Sequence, residues 1–415
     1  MPSPVHHTFG PHVDTAYLRK VLAMSYIPWR YVRGTAPLRL KNALREKFHA
    51  EPILFGSGRE SLYALLKALG VKPGEEIIIQ GYTCVVVPNA IHAAGGVPIY
   101  ADIDPDTLNL TTDTVRPLLT TRTRAVICQH TFGIPADVKG LRKLCDEKDI
   151  VLIEDMAHVL PDHKGPDIGF HGDYLILSFG RDKAISGISG GAVLSHHPRT
   201  TAVLLELERT AEHVSWWKVT RTLEYATRMR SIVRPLSGTP LFRPAVWLLQ
   251  KLRLIIPVVT TEEKKGHMSH VLTKIPNMCA ELALFSLTKL RALNERRRTL
   301  SAFFARHGHA HNWPMLAGAA SDLPLQKFPL FVLNARAKRA ILKQENIHLD
   351  DGWTGCVICP EDIELTETGY EQGMDPAAER VCRQILSLPT HPTMTLIQAE
   401  RLARRIDMLL KEKQA

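Results

Sequence analysis

YLILSFGRDKAISGISGGAVL, residues 174–194, leads from one apolar, β-branched run through a polar, glycine-rich turn into another. Its first residues read as a buried strand, and the turn sets Ser178 at the strand's end and Lys183 one short loop later. A lone lysine in such a turn is ordinarily a solvated surface charge. What precedes it in the chain argues for more.

Between residues 50 and 195 the pattern alternates. Short apolar runs, EIIIQ (76–80), VPIYADI (97–103), RAVICQH (124–130) and IVLIED (150–155), are separated by segments with apolar residues at three- and four-residue spacing, SLYALLKALG, VVPNAIHAAGG and DVKGLRKLCDEKD. Strands alternating with helices predict an α/β fold, a mostly parallel sheet sandwiched by helices. In such sheets ligands sit at the carboxyl ends of the strands. IVLIED ends there in Glu154-Asp155, followed by Met156-Ala157-His158. A carboxylate at a buried strand end needs a cation or solvent, and helix N-capping would equally explain Asp155 taken alone. Upstream, Gly56-Ser57-Gly58-Arg59-Glu60-Ser61 opens a helix, where backbone amides and the helix N-terminus suit a phosphate.

Three requirements thus occur in chain order at one sheet edge: a phosphate loop, a carboxylate and a lysine. Pyridoxal 5′-phosphate takes all three, with Asp155 against the pyridine nitrogen, Lys183 as Schiff-base amine and Ser178 toward the phosphate.

The domain boundaries read as an N-terminal arm (1–50), a large cofactor-binding domain (51–300) and a smaller C-terminal α+β domain (301–415). Residues 196–270 interrupt the large domain with a basic, Trp- and Pro-rich insertion. Helical packing or a lid is the first reading of that insertion. The second is peripheral membrane contact through 216–259, where Trp, Leu and Ile mix with Arg and Lys. From 280, one long amphipathic helix, ELALFSLTKLRALNERRRTLSAFF, is expected to lead into the small domain.

Composition narrows the partners. With 52 Lys and Arg against 42 Asp and Glu, a net charge of +10 and a pI near 9.2, the chain favours anionic ligands. No basic motif with interleaved aromatics appears, so nucleic acid is not expected. The N-terminus does not read as a secretory signal, which places the protein in the cytoplasm and its seven cysteines in the reduced state. Cys356-Val-Ile-Cys359 lacks a second ligand pair for zinc, and His307-Gly-His309-Ala-His311 is expected as a solvated loop, so no metal is expected.

These residues resemble the DegT-type family of pyridoxal-phosphate-dependent sugar aminotransferases, of aspartate aminotransferase fold, from about residue 50 to 410. Ser57-Gly58-Arg59-Glu60-Ser61-Leu62 is similar to the phosphate-binding S-G-T-x-A-L, and Glu154-Asp155-Met156-Ala157-His158 to E-D-A-A-Q/H. Ser178-Phe179 with Lys183 and Gly190-Gly191 is similar to S-F-x-x-x-K with its trailing glycines, and Leu388-Pro389-Thr390-His391-Pro392 to L-P-x-H-P. The resemblance implies amino transfer from an amino-acid donor, glutamate first, to a keto-sugar acceptor on a nucleotide or lipid carrier. It makes Lys183, Asp155 and His158 catalytic, with His158 near the phenolic oxygen. It gives the cofactor Ser57, Gly58, Arg59, Ser178 and a ring-facing residue, either Tyr82 or Cys84, the latter standing where the family carries an aromatic. A homodimer follows from it, with Asn277, in the partner-chain segment, as a further cofactor-binding residue. Other chemistry on the same cofactor, or a non-catalytic binding role suggested by Cys84 and Ser189, are the competing readings. Histidine at the Schiff-base position marks the family's dehydratases, and Lys183 argues against that branch.

Overall fold

The computed structural model describes residues 3–165, 167–252, 254–255, 257–316 and 322–411. Seven strands form the central sheet: β1 (Glu51–Phe55), β2 (Glu76–Gln80), β3 (Val97–Ala101), β4 (Thr123–Gln129), β5 (Val151–Asp155), β6 (Tyr174–Ser178) and β7 (Gly191–Ser195). They lie in the order β1-β7-β6-β5-β4-β2-β3. Only β7 runs against the rest, pairing antiparallel with β6 and β1. The remaining strands therefore end at one common edge, and β1 delivers Ser57-Gly58 to the edge that receives Asp155 from β5 and Ser178 from β6.

Side chains alternate across this sheet as the two-residue period of a strand requires. Ile53, Ile77, Ile79, Ile153 and Ile176 enter one buried core, while Leu54, Ile78, Leu152, Leu175 and Leu177 enter the other. Both faces are covered, which explains why the strands read as nearly continuous apolar runs. The sheet matches the predicted α/β sandwich.

Residues 196–270 fold mainly as helices, including Pro198–Thr210, Trp216–Arg228 and Phe242–Lys251. Val219, Leu223, Met229 and Leu249 pack with Val13, Tyr17 and Val21 of the N-terminal segment into a third core. Trp217 and Trp247 point outward. Among the described residues no helix is long and apolar enough to cross a membrane.

Two expectations are corrected here. The helix anticipated from 280 is broken: Asn277–Thr288 ends and Leu290–Ala310 begins on either side of Lys289 (φ −101°, ψ 6°). Thr288, whose hydroxyl donates to the Phe285 carbonyl, competes locally with helix continuation. The histidine run is helical, since 307–310 form the last turn of Leu290–Ala310 and His311 caps it. Beyond that helix, Lys327–Phe331 and Ile385–Pro389 pair antiparallel, and Val5–His6 of the N-terminal segment pairs with Ile347–His348.

Candidate active site

A cavity of about 210 Å3 opens at the carboxyl edge of the sheet. Ser57, Gly58, Asp155, His158, Ser178 and Lys183, gathered from positions spanning more than a hundred residues, all line it. Strand direction brings them together: each follows the end of a strand whose side chains are locked into one of the two cores.

Asp155 closes β5. Its Oδ1 accepts the Ala157 N–H at 2.9 Å, and no further hydrogen bond reaches its carboxylate among the described residues. Burial raises its pKa, and the Ala157 amide, Lys183 and His130 offset that only in part. The group therefore calls for a cationic partner. Glu154, one residue earlier, faces the other way. It accepts the amides of Gly169, His171 and Gly172 at 2.7, 2.8 and 2.6 Å, and is structural.

His158 is held neutral, its pKa pushed well below the usual value by burial and then by Lys183 and Lys327. The Phe132 N–H donates to its Nδ1 at 3.1 Å. In a neutral imidazole the proton then sits on Nε2, which makes His158 a hydrogen-bond donor to any oxygen anion in the cavity.

The loop carrying Lys183 is fixed through its backbone. His12 Nε2–H donates to the Lys183 carbonyl at 2.8 Å, Arg297 donates to the Ala184 carbonyl at 2.9 Å, and Gln326 donates to that of Asp182. His12 and Arg297 are buried and come from distant parts of the chain. The Lys183 Nζ itself has no hydrogen bond or ion pair among the described residues, so its amine is left to chemistry.

At the other end of the cavity the helix Gly58–Ala68 begins. Ser57 caps it, its Oγ accepting the Glu60 N–H at 3.3 Å. The amides of Gly58 and Arg59 have no acceptor within the helix. A Cβ on Gly58 would lie 2.9 Å from the Ser178 Cβ, so glycine lets the helix start approach the end of β6. The Ser178 hydroxyl, the orphan amides and the helix N-terminus together suit an anion, while the Ser57 hydroxyl donates to Glu60 Oε1 at 3.0 Å.

Arg59 lines the same cavity, its guanidinium engaged at the cavity's own wall. It pairs with Glu263 and donates to the Val258 carbonyl at 2.6 Å. Residues 257–263 thereby form a strap, with Pro257, Val258 and Val259 on the cavity wall. The Glu263 carbonyl accepts the Asn89 amide at 2.7 Å, and Glu263 with Thr260 completes a capping box.

Two more expected residues are placed by the structure. Cys84 lines the cavity, whereas Tyr82 is fully buried behind it, with its hydroxyl donating to the Trp353 carbonyl at 2.8 Å. Asn277 lies away from the cavity. Its Oδ1 accepts the Ala36 N–H at 2.9 Å and its Nδ2 donates to the Arg30 carbonyl at 2.7 Å, so its amide is consumed in joining the two helices. Sequence reasoning missed Trp353, which lines the cavity and packs edge-to-face with His158 at 5.1 Å, and missed His12, Arg297 and the strap. None carries a local sequence signal.

Beside this cavity, a chamber of about 440 Å3 is bounded by the N-terminal segment, the 216–259 helices and residues 350–362. Arg181 lies between the two, its guanidinium 4.1 Å from the ring centre of Tyr225.

A profile of the DegT/DnrJ/EryC1/StrS aminotransferase family matches residues 18–233. The match starts ahead of the stretch in which the resemblance was read and ends inside the insertion. Among curated proteins, the chain is 33% identical to GDP-perosamine synthase of Vibrio cholerae over 141 residues, 34% of this chain and 38% of that one. It is 36% identical to L-glutamine:2-deoxy-scyllo-inosose aminotransferase of Streptomyces kanamyceticus over 143 residues, 34% of each. The aligned segments thus span well under half the length of these two relatives. Among solved structures, NtdA of Bacillus subtilis, determined with bound PMP, superimposes with a TM-score of 0.74 at 19% identity, over 99% of this chain and 86% of that one. An aminotransferase of Psychrobacter cryohalolentis gives 0.72 at 16% identity over the whole of both chains. These likenesses establish the fold.

Proposed function

We propose that this chain, which belongs to the DegT/DnrJ/EryC1/StrS aminotransferase family, is a cytoplasmic pyridoxal 5′-phosphate-dependent aminotransferase that moves an amino group from an amino acid, glutamate first, to a keto-sugar on a nucleotide or lipid carrier. The observation that carries this reading is the convergence of Asp155, Lys183 and the Ser57–Gly58–Ser178 cradle on one cavity. Asp155, raised by burial and short of partners, fits a protonated ring nitrogen. The cradle fits the phosphate, His158 Nε2–H fits the ring oxygen, and the Lys183 amine fits the aldehyde carbon. When bound, the cofactor supplies an electron sink for the carbon that loses its proton.

The chain's own residues do the rest. Lys183, with its backbone carbonyl held by His12 and Arg297, takes the proton from the substrate carbon onto its unpaired Nζ amine and holds it there until it is given back. His158, neutral at working pH, orients an oxygen and takes no proton itself. Arg181, at the junction of the two chambers, is placed to hold an anionic group of donor or acceptor. A homodimer belongs to the same reading, and a cofactor-loaded monomer in sedimentation would contradict it. A lipid-carried acceptor would be served by the outward Trp217 and Trp247 beside Lys218 and Lys251. Equal flotation on anionic liposomes by the wild type and by a Trp217→Ser/Trp247→Ser variant would remove that part.

The decisive test is spectroscopic. The purified protein should show a visible band that borohydride traps on Lys183 and that glutamate converts to the amine form. Absence of a trappable cofactor in the wild type, or trapping that persists in Lys183→Ala, would overturn the reading. A screen of keto-sugar nucleotides with labelled glutamate then identifies the acceptor.

A further inference from the structure

Outside the lining of the cavity, two histidines and an aspartate share a face that the proposed reaction does not use. His307 and His311 stand one helical turn apart at the end of Leu290–Ala310, their rings stacked at 4.0 Å and 12°. Asp407 comes from the C-terminal helix Leu396–Lys411. Its Oδ2 lies 2.9 Å from His307 Nε2 and 3.9 Å from His311 Nε2, and all three ligand atoms fall within 4.8 Å of one another. Four-coordinate zinc with bonds of about 2.0–2.1 Å separates its ligand atoms by about 3.3 Å, and the separations of 2.9 and 3.9 Å bracket what such an ion requires.

Hydrogen bonding behind these atoms settles how they present themselves. His311 Nδ1–H donates to the His307 carbonyl at 2.8 Å, which leaves the Nε2 of its neutral ring as a lone pair turned toward Asp407. Trp313 Nε1–H donates to Asp407 Oδ1 at 2.7 Å, directing Oδ2 toward the rings. A proton on His307 Nε2 satisfies its own contact with Oδ2 and leaves the His311 lone pair facing that same oxygen. A divalent ion takes up all three once one imidazole turns out of the 12° stack, so that both ring planes contain the ion. An imidazole anchored on a backbone carbonyl and a carboxylate anchored by an N–H are the outer arrangement that metal ligands need. The end of Leu290–Ala310 adds the negative pole of the helix dipole.

We infer that His307, His311 and Asp407 bind one divalent transition-metal ion of the zinc type, with a remaining position open to water. His311 is 43% exposed in its side chain, while His307 and Asp407 are at 20% and 15%, so the ion enters from solvent beside His311. Bound there, it ties the C-terminal helix to the long helix of the small domain.

The test is equilibrium dialysis of Zn2+ against the full-length, untagged, cofactor-loaded protein after chelator treatment, read together with its thermal midpoint. One Zn2+ per chain and a raised midpoint are expected in the wild type, with Cys356→Ser unchanged. His311→Gln, at a side chain whose hydrogen bond runs to its own helix, should fold normally and bind at least about tenfold more weakly. Trp313→Phe removes no ligand and should weaken binding by about 10- to 100-fold. Binding that is absent in the wild type, or equal in wild type, His311→Gln and Trp313→Phe, would overturn the assignment.

Discussion

Glu263→Gln isolates the charge that holds the strap over the cavity. Glu263 Oε2 also accepts the Thr260 N–H at 2.7 Å and its hydroxyl at 2.9 Å, and glutamine keeps an acceptor for that cap. Only the ion pair with Arg59 is lost. The two side chains are 20% and 10% exposed, intermediate between surface and core. Exposed pairs contribute about 0–1 kcal/mol, and breaking a buried pair costs about 3–5 kcal/mol. About 2 kcal/mol is therefore expected for local opening of residues 257–266, which is about a 30-fold rise in the open population. Hydrogen exchange of the amides in 257–266 reads this directly, while amides of β4 and β5 should exchange as in the wild type because the sheet is untouched. A rise of less than about threefold would show that the pair does not hold the strap. An equal rise throughout the sheet would show that it supports the whole fold instead. If Arg59 were a phosphate ligand, as the sequence resemblance implies, freeing it should tighten cofactor binding. Unchanged cofactor affinity would instead take the Arg59 side chain out of the phosphate contact.

Other consequences are equally measurable. Asp155→Asn keeps the shape and removes the charge, so cofactor affinity in equilibrium dialysis should fall by about 10- to 100-fold, the equivalent of a charged hydrogen bond of about 1.5–3 kcal/mol; unchanged affinity would take Asp155 out of the site. Cys84→Phe restores an aromatic to the cavity wall and should tighten cofactor binding by about 3- to 10-fold, from about 0.5–1.5 kcal/mol of ring contact; weaker binding would mean that Trp353 and its neighbours leave no room for it. Stability should fall in acid through the buried histidines. Burial and then Arg297 hold His12 down at about 3, and burial holds His348 at about 4. Both pKa values are depressed in the folded state, so their contribution is complete above the unfolded value of about 6.5 and is lost as pH falls toward the folded values, at about 1.4 kcal/mol per pH unit for each group. Urea midpoints taken between about pH 7 and about pH 5 should show this slope, and His12→Gln should lessen it by about one proton. An unchanged slope in that variant would contradict the burial argument.

The part of the site that was legible in the sequence is the part built on local order. Each of Gly58, Asp155, Ser178 and Lys183 follows an apolar run by a fixed short offset, and the direction of parallel strands converts that offset into a common edge. The parts that were not legible depend on pairs without any local pattern. His12 reaches the Lys183 carbonyl across 171 residues, Arg59 meets Glu263 across 204, and Asp407 meets His307 across 100. Asn277 depends on pairs of the same kind, for Ala36 and Arg30 engage the two ends of its amide across 241 and 247 residues. The histidine run, polar enough to be expected as a solvated loop, is helical, and Met315 and Trp313 pack where a side chain at 308 would stand. Glycine there serves close packing within a helix. The same small residue lets Trp313 come near enough to orient Asp407, which ties the packing of that corner to the metal site inferred from it.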